Sequence, residues 1–286
     1  MAYTSGSATD YKDLLVQVSA FAAANGWTIL EQSATKCYMK GLGLAGTDEI
    51  YVGIECIEQS GSYYNWRMVG SYAWRPGRGL DQQPRSSGFE YIYLWNQPIS
   101  FRMVCNGRRI IVVAKVSTVY QVLHLGLLTP VATEAQNPYP LLVGGMGGSP
   151  TNTYSSTGDN NNAFWGAGNQ ASSKMCIPGG LWTGKYDSGG LYAGNNIFYV
   201  GHSFTSANSE SLGVMAADPD GNFLLEEIFC CDSSWPSLFG TVEGLFRVAG
   251  NGNSSENVIT ISGVNYMVFQ NAYRTSGSDY SALRLN

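Results

Sequence analysis

ISFRMVCNGRRIIVVAKVSTVYQVLHLG, Ile99–Gly126, holds two extended runs, Ile99–Cys105 and Arg108–Val116, that meet at Asn106-Gly107. An Asn-Gly pair between β-branched runs signals a hairpin, because a type I′ turn needs positive φ at both central residues. The second arm is almost continuously apolar from Arg109 to Val116, which reads as a central strand covered on both faces. The segment Ser117–Leu128 stays open between helix and strand. Val119, Val122, Leu123 and Leu127 have helical spacing, whereas the β-branched content fits a further strand.

Outward from this stretch, the chain gives one helix and many short strands. Thr9–Asn25 has an apolar stripe of Leu14, Leu15, Val18, Phe21 and Ala22, with Thr9 or Asp10 as cap and Asn25-Gly26 as stop. Trp27–Leu30, Cys37–Lys40, Ile50–Ile57, Trp66–Tyr72 and Phe89–Leu94 read as strands, and Trp74–Gly88 as an exposed loop. Past residue 144, Ile197–Gly201, Phe223–Cys230 and Leu245–Ala249 read as extended. Val258–Ile261, Ser262-Gly263 and Tyr266–Gln270 form a second hairpin, and Ala282–Leu285 a last edge strand. The expected fold is α+β, mostly β: antiparallel sheets with hairpins at Asn106-Gly107 and Ser262-Gly263, and one N-terminal helix packed on a sheet. Residues 144–194 are rich in Gly, Asn, Ser and Thr, so a boundary falls there. The two parts are 1–143, helix plus antiparallel sheet, and 144–286, a Gly/Asn-rich loop region and a β-rich remainder, with a single domain as the alternative.

The 286 residues suffice for a large core, and only 13% are charged, about half the usual share. The net charge of −5 and the lack of a basic run speak against sequence-independent nucleic-acid binding. The opening MAYTSGS is not a signal peptide, and no run approaches the roughly 20 apolar residues of a membrane helix. Synthesis in a cytoplasm is therefore expected, with Cys37, Cys56, Cys105, Cys176, Cys230 and Cys231 as free thiols.

Each candidate for chemistry has a plainer structural reading. His124 lies in an apolar run and His202 follows a strand, neither with a zinc-spaced neighbour. Glu226-Glu227 would point to opposite faces of a strand, and Asp218–Asp220 fits a turn better than a hydrolase site. Asp159–Asn162 lacks the alternating ligands of a calcium loop. Gly144–Gly148 lacks the Lys-Ser/Thr of a phosphate loop, and Ser203 lacks a nucleophile elbow. No catalytic, cofactor-binding or metal-ligating residue is assigned, and no cofactor is expected. Arg102, Arg108 and Arg109 fit either an acidic partner surface or solvated edge charges. Tyr63-Tyr64, Trp74, Tyr139, Phe164-Trp165 and Trp182 are candidate contact anchors.

Several stretches also carry a resemblance. NGRRIIVVAKVSTVYQ, then Pro138-Tyr139-Pro140-Leu141 and a Gly-Gly, resembles a group of tailed-bacteriophage and prophage virion proteins. So do Asp10–Leu15 up to Gly26-Trp27, Tyr266–Asn271 with Arg274-Thr275, and Asp279–Leu285. The resemblance implies a non-enzymatic virion structural protein of the tail, baseplate or neck. Its partners would be other copies of itself in a ring-like assembly and other phage structural proteins, without nucleic acid or membrane insertion. The alternative is a receptor- or carbohydrate-binding module at the tail tip. A virion-borne glycan hydrolase is a weaker third reading, given the poor carboxylate pattern.

Overall fold

The computed structural model describes residues 1–131, 139–155, 173–177, 180–184, 197–200, 225–232, 238–248, 252–273 and 280–286. The chain opens with β1 (Ala2–Ala8), α1 (Tyr11–Ala23), β2 (Trp27–Gln32), β3 (Lys36–Gly41), β4 (Ile50–Gln59), β5 (Tyr63–Ser71) and β6 (Glu90–Ile92). Next come β7 (Ile99–Asn106), β8 (Arg109–Val116), β9 (Val119–Leu127), β10 (Thr129–Pro130), β11 (Leu141–Gly144), β12 (Ser173–Ile177) and β13 (Leu181–Gly184). The remainder holds β14 (Ile197–Val200), β15 (Leu225–Asp232), β16 (Leu238–Val248), β17 (Val258–Ile261), β18 (Val264–Gln270) and β19 (Tyr280–Arg284). The α+β, mostly β expectation holds, with antiparallel sheets and one helix packed on them.

Among the described residues the strands form three sheets. The central one runs β1-β7-β8-β9-β11-β12-β13, the second β2-β3-β4-β5-β6, and the third β14-β15-β16-β19-β18-β17 with β10 paired to β16. Met68, Ile54 and Trp66 of the second sheet share one core with Leu123, Leu141 and Val143 of the central sheet. The open segment Ser117–Leu128 resolves as strand. β9 is buried at every position, so its residues at helical spacing are half of a strand covered on both faces. The 143/144 boundary falls inside β11, and strands from either side of it belong to the central sheet. Ala282–Leu285 is not an edge: β19 lies between β16 and β18, with Ala282 and Leu283 fully buried.

Helix α1 follows from its cap and stripe. Asp10 accepts from the Lys12 and Asp13 backbone N–H groups at 2.7 and 2.9 Å, and Leu14, Leu15, Val18 and Ala22 are buried. Burial of each large aliphatic stabilises by about 1.5–3 kcal/mol. Asp10→Ala should cost about 1 kcal/mol, read as a fall in the urea midpoint with an unchanged m-value.

Both hairpins form, but their turns differ from the expectation at the first. At Ser262-Gly263 both residues have positive φ, 51° and 80°, as type I′ requires. At the first hairpin Asn106 pairs with Arg109, so the two-residue loop is Gly107-Arg108, and neither these residues nor Asn106 has positive φ. The Asn106 side chain instead accepts from the Arg108 and Arg109 N–H groups at 2.9 and 3.1 Å. Gly107 is required by close approach. Gly43 N–H donates to its carbonyl at 2.8 Å, and a Cβ at 107 would overlap the Gly43 carbonyl oxygen. Trp27 Nε1 donates to Asn106 O at 2.8 Å beside it, which clamps the hairpin tip to the second sheet. Gly107→Ala should therefore cost about 3 kcal/mol, and more than Gly46→Ala, where a Cβ meets open space and only the positive φ of 78° opposes it, at about 1 kcal/mol. Equal losses in thermal denaturation would refute the clamp.

The segment Trp74–Gly88, expected to be an exposed loop, is in part buried. Leu80 is fully buried on Tyr38 and Val69, in space left by the absent side chain of Gly53. Gln83 fixes the loop by accepting from Arg75 N at 2.7 Å and donating to the Arg75 and Arg78 carbonyls at 3.2 Å.

Candidate functional site

Buried charge gathers where the chain passes from the central to the third sheet. Arg109 opens β8, its backbone N–H held by Asn106 Oδ1. It faces Gly126 of β9, where a Cβ would lie 2.6 Å from the Arg109 Cβ, so only glycine leaves room for the guanidinium stem. His124 shares this face, since it pairs with Ile111 two residues along β8. Three residues past Gly126, Thr129 enters the third sheet through β10, opposite β16.

The side chains close into a triad. Arg109 Nη1 donates to Glu243 Oε2 of β16, Arg109 Nη2 donates to Thr129 Oγ1 at 3.1 Å, and Thr129 Oγ1 donates to Glu243 Oε2 at 2.9 Å. Arg108 Nη2 adds a bond to Leu128 O at 3.3 Å. Arg109 is 0% exposed, whereas the Glu243 side chain is 41% exposed.

Electrostatics fixes the protonation states. Burial lowers the Arg109 pKa to about 10 against the opposing pull of Glu243, so the guanidinium stays charged at neutral pH. Burial raises that of Glu243, but the Arg109 charge and the Thr129 and Arg109 bonds outweigh it and leave the carboxyl below its ordinary value. Burial, reinforced by the Arg109 charge, lowers His124 to about 3, so its imidazole is neutral. A histidine this weakly basic and fully buried is a poor general base. The triad's chemistry is adhesive: it ties β8 of the central sheet to β16 of the third.

The remaining candidates fall around this centre rather than in it. The Arg102, Arg108 and Arg109 cluster does not form a shared surface. Arg109 is neither a solvated edge charge nor free for an outside acid, because its own chain supplies Glu243. Arg102 Nη1 donates to Phe101 O at 3.0 Å. Glu227 is exposed while Glu226 is half-buried, 4.0 Å from Arg247, in keeping with opposite faces. Gly144–Gly148 covers β6: Tyr91 N–H donates to Gly147 O at 2.9 Å and Met146 N–H to Tyr91 O at 2.7 Å. Burial pushes the Cys37, Cys56 and Cys105 thiols up to about 12.

Several aromatic contact anchors turn inward. Tyr139 donates to Ser71 O at 3.0 Å and accepts from Tyr51 N–H at 3.2 Å. Trp182 donates to Arg85 O at 2.7 Å, with its ring over Gly70. Tyr64 packs on Tyr11 with ring centroids 5.5 Å apart, and Trp74 lies against the Leu80 cluster. Tyr63 is half-buried. His202, Ser203, Asp159–Asn162, Asp218–Asp220 and Phe164-Trp165 lie outside the described residues.

Sequence reasoning missed the polar groups that bracket the backbone. Asn65 is fully buried, donates to Pro150 O and Asn152 O at 2.9 and 2.8 Å, and accepts from Leu94 N–H at 3.3 Å. The available signal was a lone amide inside the apolar run of β5. Among the described residues, no group of three or more His, Cys, Asp or Glu is placed to hold a metal, and no helix is long and apolar enough to cross a membrane. No protein-family model matches the sequence, and no curated protein matches it.

Proposed function

We propose that this chain is a non-enzymatic structural component of a tailed-phage virion, part of the tail, baseplate or neck, built in through repeated subunit contacts. The phage assignment rests on the resemblance of its opening, central hairpin and closing stretch. The observation that carries the structural role is the use made of its reactive groups. Arg109 and Glu243 join two sheets, His124 is held neutral in the core, and the described thiols are buried or half-buried in the packing. Tyr139 and Trp182 hydrogen-bond inward, which weighs against a sugar-stacking tail-tip module.

The test is immunogold electron microscopy with an antibody to this chain, together with mass spectrometry of purified particles. Label at the tail end or neck is the expected result. Label along fibres would favour receptor binding, and absence from the particles by mass spectrometry would overturn the proposal.

A further inference from the structure

The described residues form six sheet edges, and five of them are blunted or short. β2 carries a bulge between Ile29 and Glu31 and a Glu31–Lys36 ion pair. β6 spans three residues and is covered by Met146-Gly147. β13, β14 and β17 span four residues each. β1 differs on every count. Seven residues long, Ala2-Tyr3-Thr4-Ser5-Gly6-Ser7-Ala8, it pairs with β7 without a register shift and contains no charge and no proline. Bulges, charges, proline and cover are the usual defences against strand addition; β1 lacks the first three, and among the described residues Gln17 Nε2 reaches only its end, donating to Ser7 O at 3.4 Å.

The edge is also held ready. Met1 packs into the core, where its Cε would lie 2.7 Å from a Cβ at Gly244. At the other end Ala8 is buried and Asp10 caps α1. Phe101 lies beneath Gly6, so the flattest point of the strand is backed by an aromatic ring. Pairing there has little ordering cost.

From these features we infer that β1 pairs with β1 of a second copy of this chain, antiparallel about a two-fold axis through Ser5. The strand's own sequence selects that occupant. In this register Ser5 meets Ser5, Thr4 meets Gly6, Tyr3 meets Ser7 and Ala2 meets Ala8, so every bulky residue faces a small one and hydroxyls line the centre. An isologous contact of this kind requires self-complementarity. Directly across the ladder from Ser5 stands Arg102 of β7. The two copies of Arg102 stand three strand spacings apart, about 14 Å, beyond the ~8 Å screening length at physiological salt. The pairing fuses two central sheets into one. It deepens the assembly reading above and rests on that reading for its place in a particle.

Site-specific disulfide trapping on the full chain tests the register. Opposed residues of an antiparallel pair have Cα atoms about 4.5–5.5 Å apart, within disulfide reach. Ser5→Cys should give a covalent dimer under mild oxidation. Ser7→Cys, whose copies lie four residues out of register, and the unsubstituted chain should not. In sedimentation the unsubstituted chain should be a dimer, and Ser5→Lys/Ser7→Lys should raise its dissociation constant more than tenfold with the far-ultraviolet circular dichroism spectrum unchanged. A monomeric unsubstituted chain at about 100 μM, or equal trapping of Ser5→Cys and Ser7→Cys, overturns the inference. A monomer that is nevertheless found in particles overturns edge pairing alone. A trapped dimer absent from particles overturns the virion assignment alone.

Discussion

Glu243→Ala is expected to destabilise the protein by about 3 kcal/mol, more than Arg109→Met does. Removing one partner of a buried pair costs about 3–5 kcal/mol because the other charge is left uncompensated. The two partners are not equivalent here. Arg109 is 0% exposed and keeps only Thr129 when Glu243 is lost. Glu243 reaches water and can hydrate when Arg109 is lost, so that loss should be about 1–2 kcal/mol; the same solvent access places Glu243→Ala at the lower end of its range. The double variant Arg109→Met/Glu243→Met should return to within about 1 kcal/mol of the parent. Thermal denaturation reads these differences as a fall of roughly 10 °C for Glu243→Ala at about 2–4 °C per kcal/mol. Because the folded carboxyl of Glu243 lies below its ordinary value, its stabilisation is present above about pH 4.5 and is lost as pH falls through the folded pKa. Glu243→Ala should remove that acid-limb contribution. Equal losses from the two single variants would refute the asymmetry.

The parts of the fold that could be read in the sequence are those fixed by local chemistry. Leu14, Leu15 and Val18 repeat at helical spacing under an Asp10 cap, and the run from Arg109 to Val116 is apolar enough to be covered twice. The errors arise where tertiary contact overrides a local signal. Gly107 is an Asn-Gly glycine by sequence, yet it serves the approach of Gly43, a contact 64 residues distant in the chain (107 − 43). Arg109 looked like a surface cation because nothing near it in sequence is acidic, and its partner lies 134 residues away. Trp74–Gly88 has loop composition, but the slot over Gly53 that receives Leu80 exists only once β4 and β3 have paired. Trp182 and Tyr139 have interface composition and use their polar tips on Arg85 and Ser71. The edge β1 went unread because Ala2–Ala8, with Tyr3 its one large side chain, has no apolar run to mark it as a strand, and sequence order does not show which strands end a sheet.

Stability should also fall as pH drops from 6.5 to 5, before the carboxylates contribute, and His124 should account for the slope. Its ordinary pKa of 6.5 applies to the unfolded chain, while burial and then Arg109 depress the folded value to about 3; hydrogen bonding to the Leu142 backbone opposes them without reversing the shift. Over this interval the unfolded state binds a proton that the folded state does not, so each pH unit favours unfolding by about 1.4 kcal/mol. By pH 5 the loss is about 2 kcal/mol. His124→Gln removes the titrating group and should flatten the dependence over pH 6.5–5, whatever it costs at pH 7. The chain has only two histidines, so the double variant His124→Gln/His202→Gln shows what slope remains when no imidazole titrates. Arg109→Met should shift the lower end of the window upward and keep its upper end, because burial, the larger cause, remains. Denaturant titrations at pH 7, 6 and 5 give the free energies directly. A slope that survives in His124→Gln would mean that this imidazole is not held neutral by folding, and would remove the electrostatic case for an adhesive cluster beneath Arg109.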